Sequence, residues 1–375
     1  MILLFLSSGL FLGWSLGAND AANIFGSAVG TKMVKFRTAA IIASIFVIMG
    51  AVIQGSGAAH TLGKLGQVNA LAGSFTVALS AAITVLFMTK YRLPVSTSQA
   101  IVGAIIGWNF YTGNPTDHNS LTKIVSTWIF APILGGIFAV ILYQLQKVVI
   151  ERSKIHLIKL DSFLRTGLLI VGAFGAYSLG ANNIANVMGV FIDAAPTGDL
   201  TFGFLKLTGI QQLFLLGASS IAIGIITYSK KIMSTVGNKL FALSTEAALV
   251  VVLAHSLVLF VFSSQGLSDA VQSIGLPAIP LVPVSSSQAI IGAILGIGLL
   301  KGGKEIKLDV MGGIAIGWIT TPIAAGVITF FSLFFMEHVF VLQVQDTETK
   351  IELSQSNDIK TAQGDKDYKT VQAKN

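Results

Sequence analysis

The chain of 375 residues contains no cysteine, which excludes disulfides, thiolate metal sites and cysteine nucleophiles. Charge is also scarce. Only 11% of residues are charged against 53% hydrophobic, with 39 glycines and a mean hydropathy of +0.78, a composition that points to a polytopic membrane protein. The arginines are Arg37, Arg92, Arg152 and Arg165, all in or beside loops, so no guanidinium fork is available inside the membrane to hold an anion. His60, His118, His156 and His338 fall near loops or termini and form no metal site; His255, inside an apolar run, reads as a hydrogen-bonded packing residue. No basic residue precedes the first apolar stretch, so Met1 to Gly17 reads as a first span rather than a signal peptide.

What is present is apolar sequence in span-sized pieces. A helix needs ~20 apolar residues to cross a bilayer, which leaves room for roughly ten crossings. The runs fall near 2–29, 38–58, 69–89, 95–110, 121–146, 163–192, 207–228, 241–263, 284–300 and 309–337. Basic residues collect in alternate loops: Lys32, Lys35 and Arg37; Lys90 and Arg92; Lys147, Arg152, Lys154 and Lys159; Lys230, Lys231 and Lys239; Lys301, Lys304 and Lys307. The positive-inside rule places these loops in the cytoplasm and both termini outside. The net charge of +7 is then loop bias, and no nucleic-acid partner is expected.

Five crossings per half make the second half enter the membrane in the opposite direction. The fold class expected is an all-α polytopic membrane protein of two inverted-topology repeats, about five membrane segments each. Repeat 1 covers 1–146, a basic cytoplasmic linker 147–162, repeat 2 covers 163–338, and 343–375 reads as a polar, disordered tail. Three markers recur in order. Gly17-Ala18-Asn19-Asp20-Ala21-Ala22-Asn23 returns as Gly180-Ala181-Asn182-Asn183-Ile184-Ala185-Asn186. Pro94-Val95-Ser96-Thr97-Ser98-Gln99-Ala100 returns as Pro283-Val284-Ser285-Ser286-Ser287-Gln288-Ala289, and Trp128 with Pro132 returns as Trp318 with Pro322. The spacing between the first two markers is roughly 26 residues longer in the second half, which places an insertion in the loop near 264–282.

The first marker puts a carboxylate and carboxamides into lipid-compatible sequence. An ionisable residue in a span costs ~2.5 to 3.5 kcal/mol on insertion scales, so Asp20 should face a polar cavity or a cation. Asn19, Asp20 and Asn23 offer hard oxygen ligands suited to an alkali or hard divalent cation, and the duplication favours this over Asn acting only as interhelical glue. The second marker is a helix start inside the membrane, with Ser96 and Ser285 as N-caps and Gln99 and Gln288 three residues on. Free N–H groups and hydroxyls there suit a tetrahedral oxyanion held from both sides. Without an arginine, co-bound cations must complete the charge balance, so anion and cation should cross together.

The paired GANDAAN/GANNIAN and PVSTSQA/PVSSSQA segments resemble the signatures of the inorganic phosphate transporter (PiT) family, over roughly residues 10–335. The resemblance implies an inverted-repeat transporter with broken or re-entrant helices at the Ser-rich motifs, coupling phosphate to sodium, and a homodimer. It implies phosphate ligands at Ser96, Thr97, Ser98, Ser285, Ser286 and Ser287. It implies sodium ligands at the two Asn motifs, Asn19, Asp20, Asn23, Asn182, Asn183 and Asn186, which Gln99 and Gln288 would extend. Three departures stand out. Asn183 replaces the usual second Asp; Gln99 and Gln288 stand where members often have His, which favours sodium over protons; and Val47 stands where members often carry Glu. Glu246 is a possible further cation ligand.

Proton coupling and a sulfate permease of the same fold are the main alternatives. An intramembrane hydrolase would need a base near the Ser motifs, where no His or Lys lies in sequence. A channel does not need duplicated broken helices. The expected protein is not an enzyme and carries no resident cofactor.

Overall fold

The computed structural model describes residues 2–90, 95–153, 155–195, 198–202, 205–235, 243–303 and 308–346. Arg92, Pro94, Lys154, Lys239, Lys304, Lys307 and the tail from 347 onward lie outside the described residues.

Apolar sequence in lipid must satisfy its backbone internally, and the chain does so almost wholly as helix. The first half forms α1 (Ile2–Gly30), α2 (Phe36–Gln54), α3 (Ser56–Gly66), α4 (Leu71–Lys90), α5 (Thr97–Thr112) and α6 (His118–Ser153). The second forms α7 (Leu157–Met188), α8 (Gly209–Thr235), α9 (Thr245–Val261), α10 (Gln265–Ser273), α11 (Ser286–Leu300) and α12 (Leu308–His338). An antiparallel ribbon, β1 (Leu200–Phe202) with β2 (Leu205–Leu207), joins α7 to α8 and is an exception to the all-α expectation. Among the described residues seven helices are long and apolar enough to cross a membrane, or eight if the pair α9 and α10, bent by 71°, is one span. The chain is therefore a polytopic membrane protein, all helical among the described residues apart from that ribbon.

The short helices are the informative ones. At 1.5 Å per residue, α5 and α11 measure only about 24 and 22 Å, short of a hydrocarbon core of about 30 Å. Both begin at the Ser motifs after extended backbone, so each is a half-helix starting within the packed interior, where Ser96 and Ser285 are buried.

Several boundaries move. Run 38–58 breaks at Gly55, and the region near 59–68 is α3, which buries Ala59, Leu62 and Leu65 and exposes His60 and Lys64. Most of the supposed linker 147–162 is helical: α6 runs through Ser153 and α7 starts at Leu157, so the halves are joined by long helices with a short break. The extra length of the second half is divided. Asn19 precedes Phe36 by 17 residues while Asn182 precedes Gly209 by 27, and Leu71 precedes Ser96 by 25 while Thr245 precedes Ser285 by 40. The β-ribbon accounts for the first excess, and α10 with the extended run after it for the second.

The start of the supposed free tail is also structured. Trp108 donates from Nε1 to the Val344 carbonyl at 3.0 Å, Gln345 bonds Asn114, and the Asp346 amide bonds Asn69. Val344 is buried.

The halves interlock rather than sit side by side. Taking α1, α2, α4, α5 and α6 with α7, α8, α9, α11 and α12 as counterparts, each main contact has its exchange: α1 with α8 and α7 with α2, α5 with α12 and α11 with α6, α1 with α4 and α7 with α9. Backbones meet without side chains at the crossings. A Cβ on Gly103 would strike the Pro322 carbonyl, and one on Gly292 the Pro132 carbonyl. Outward, α6 shows Ile129, Ile133, Ile137 and Ile141, a one-turn repeat suited to lipid.

Candidate substrate and ion site

The two half-helix N-termini are tied to each other. Ser98 Oγ donates to the Val284 carbonyl at 3.1 Å, and Ser287 Oγ donates to the Val95 carbonyl at 2.9 Å, so each helix start grips the lead-in of its counterpart. Ser96 accepts from the Gln99 amide at 3.2 Å and Ser285 from the Gln288 amide at 3.3 Å, as expected of N-caps. The reciprocal half of a capping box is missing. The Gln99 and Gln288 Oε1 atoms are buried without partners, which frees them as ligands. The first α-helical bonds run from Ala100 and Ala289, so the amides of Thr97, Ser98, Ser286 and Ser287 precede them on the positive ends of two dipoles.

The Asn motifs lie against these ends. Asn23 Nδ2 donates to Ser286 Oγ at 3.0 Å, and Asn186 Nδ2 donates to Ser98 Oγ at 2.9 Å. The expected cation and anion residues are thus brought together, each Asn motif touching a Ser motif of the other half. Asp20 is buried, and Asn19 donates to its Oδ1 at 3.2 Å. Among the described residues the salt bridges are Lys147 with Glu151 and Lys206 with Asp199, so Asp20 has no cationic side chain in salt-bridge range. A buried carboxylate beside carboxamide oxygens fits a hard cation.

The twin motif is built differently. Asn182 donates to the Val282 carbonyl at 3.0 Å and accepts from the Val284 amide at 2.8 Å, clamping the extended run that leads into α11. Asn183 accepts from Asn186, leaving Asn183 Nδ2 and Asn186 Oδ1 without partners. Asn182, Asn183 and Asn186 are all buried, while Asn19 and Asn23 are half-buried. The clamp predicts that Asn182→Ala leaves a buried amide and carbonyl unpaired, which costs about 1–3 kcal/mol. Thermal unfolding of the detergent-purified variant measures it.

Glu246 lies on α9. It stands half-buried in the first turn of α9, where Ser244 caps the Ala247 amide. It lies nine residues before His255, about 13 Å along the helix. Val47 is fully buried with its carbonyl against Gly180 and supplies no side-chain oxygen.

Two sets of residues at the site escaped the sequence reading. His255 is hydrogen-bonded, but its partner is Ser286, at 2.9 Å from Nε2, so it belongs to the site and not to packing alone. The indole N–H groups of Trp128 and Trp318 are buried without partners. In the packing that sets Gly103 against Pro322 and Gly107 against Gly326, Gln99 and Trp318 stand one turn earlier on the same helices; in the packing that sets Gly292 against Pro132 and Gly296 against Gly136, Gln288 and Trp128 do the same. Each half therefore carries an unpaired donor and an unpaired acceptor at matching levels, and their recurrence at offsets one residue apart, 288 − 99 = 189 and 318 − 128 = 190, is the available signal.

A cavity of about 740 Å³ opens beside α3 and the α7–α8 connection, with His60, Lys64, Asn69 and Asp193 in its wall. Leu281 also lines it, and Thr61 donates to the Leu281 carbonyl at 2.6 Å. The next residue, Val282, is the one held by Asn182.

Comparison with known proteins identifies the family and the fold. The profile of the phosphate transporter family matches residues 16–329, with a second match over 278–364. A provisionally named phosphate permease of Pyrococcus furiosus is 27% identical over 88% of this chain and 94% of its own length. One of Methanocaldococcus jannaschii is 29% identical over 85% and 93%. The sulfate permease CysP of Bacillus subtilis is 28% identical over 84% of this chain and 82% of its own. A solved structure, the sodium-dependent phosphate transporter, shares the fold with a TM-score of 0.70 at 20% identity, covering 90% of this chain and 98% of that one. On this profile match, together with the duplicated, cross-tied Ser and Asn motifs, the chain belongs to the phosphate transporter family.

Proposed function

We propose that the chain is a secondary transporter that imports inorganic phosphate together with sodium, by alternating exposure of a site between two inverted repeats. The observation that carries this is the pair of bonds joining the motifs, Asn23 to Ser286 and Asn186 to Ser98. An oxyanion between the half-helices would take the amides of Thr97, Ser98, Ser286 and Ser287 and the hydroxyls of Ser96, Thr97 and Ser286, while the Ser98, Ser285 and Ser287 hydroxyls hold the two helix starts together; the indole N–H groups of Trp128 and Trp318 would be further donors. Sodium would take oxygens from Asn19, Asp20, Asn23 and Gln99, and from Asn182, Asn183, Asn186 and Gln288. A cation drawing the Asn23 carboxamide oxygen changes what Ser286 meets, so cation and anion binding are coupled through one side chain.

The matched contacts of the two halves support the repeat, and the loop charges support inversion, with both termini outside and the basic loops cytoplasmic. A homodimer follows from the family resemblance; light scattering in detergent checks it. In proteoliposomes, phosphate uptake is expected to rise with an inward sodium gradient and to ignore a pH gradient imposed alone. Uptake driven only by the pH gradient would replace sodium with protons.

Sulfate is the second reading, favoured by the likeness to the Bacillus subtilis sulfate permease. Phosphate can donate a hydrogen bond at neutral pH and sulfate cannot, so acceptors such as Asp20 near the anion favour phosphate. Excess sulfate is expected to leave uptake of labelled phosphate nearly unchanged; full competition would reverse the assignment.

A further inference from the structure

His255 is fully buried on α9 and reaches one group of the site, Ser286 at the start of α11. Its Nδ1 has no partner and its Nε2 lies 2.9 Å from Ser286 Oγ. A neutral imidazole carries one proton, and an orphaned buried N–H is the arrangement proteins avoid most, so the proton belongs on Nε2, where a partner exists. Nε2–H then donates to Ser286 Oγ. Asn23 Nδ2 donates to the same oxygen at 3.0 Å. A serine hydroxyl has two acceptor lone pairs and one proton, and here both lone pairs are taken.

We infer that His255 is a positioning residue for the anion site: together with Asn23 it occupies both lone pairs of Ser286, leaving the hydroxyl able only to donate, toward a deprotonated oxygen of a bound oxyanion. This rests on the phosphate reading above. With the other tautomer Ser286 would give its proton to the histidine, and the anion would lose a donor. The counterpart hydroxyl, Thr97 Oγ1, has no partner and keeps its lone pairs. The two sides of the site therefore differ: Ser286 suits an unprotonated oxygen, and Thr97 can also accept from a P–OH group.

The test is a double-mutant cycle in proteoliposomes, with His255→Leu, Ser286→Ala and the pair. Each single variant is expected to raise the KM for phosphate about tenfold with little change in maximal rate, and the pair to be no worse than either alone. His255→Gln, which keeps an N–H donor of similar reach, should recover part of the affinity. Additive losses in the pair, or an unchanged KM in His255→Leu, would overturn the inference. Wild-type uptake of labelled phosphate in the same vesicles tests the transport reading separately; if sulfate is carried instead, the cycle is run with labelled sulfate. Ring nitrogen shifts of 15N-histidine-labelled protein, with the His255 signal identified by its loss in His255→Gln, decide the tautomer without any transport. A protonated Nδ1 would sink the proposal.

Discussion

Asp20→Asn is expected to push sodium stimulation of phosphate uptake to far higher sodium concentrations while leaving the protein folded. The substitution keeps the size and the ability to accept from Asn19, and it makes the two Asn motifs read alike at this position, Asn against Asn183. What it deletes is the one charge available to a cation beside Asn19 and Asn23. Loss of a charged partner at a buried site is worth about 1.5–3 kcal/mol, so the sodium concentration for half-maximal uptake should rise by about 10- to 150-fold. Phosphate affinity should fall with it, because no arginine takes over the charge balance. A variant that keeps the wild-type sodium dependence would remove Asp20 from the mechanism and leave the carboxamides as the only cation ligands.

Gly103→Ala or Gly292→Ala should cost more stability than any polar change at the site. At each position a Cβ would strike a backbone carbonyl, that of Pro322 or Pro132, and neither can turn aside as a flexible side chain would. Overpacking commonly costs about 1–3 kcal/mol when side chains can adjust. Here the half-helix itself must move away from its partner, and the Ser motif at its start moves with it. Both the unfolding temperature in detergent and the uptake rate are expected to fall. Gly63→Ala is the control, since nothing lies within 4 Å of the Cβ it would add. That variant should be neutral or slightly more stable, Gly being about 1 kcal/mol poorer than Ala in a helix. Equal losses at Gly63 and Gly103 would remove close approach as the cause.

The sequence showed the site more clearly than it showed the connections. Ser96 and Ser285 were legible as helix starts because a cap is a local event, a hydroxyl meeting an amide three residues on. The duplication was legible because Asn, Ser and Trp-Pro markers survive in order. The break at Gly55 was not: the glycine has φ −72°, ordinary helical backbone, and α3 is too short for its Ala59, Leu62 and Leu65 spacing to stand out. The hydrogen bond of His255 is in line with its sequence, but its partner is not legible there, because burial in a span says nothing about which helix face meets which neighbour; only α11 packed against α9 puts Ser286 beside it. The division of the second half's extra residues is not legible, because offsets between markers give a total and not how it is shared between loops.

The docked segment at 342–346 decides where this chain tolerates being cut or extended. Ending it before Val344 would strip the indole of Trp108 of its acceptor in a buried setting and uncover Gly73, against which the Val344 carbonyl rests. A purification tag or fluorescent fusion belongs beyond Asp346, and a truncation meant only to trim a loose end would also loosen the junction of α4 and α5.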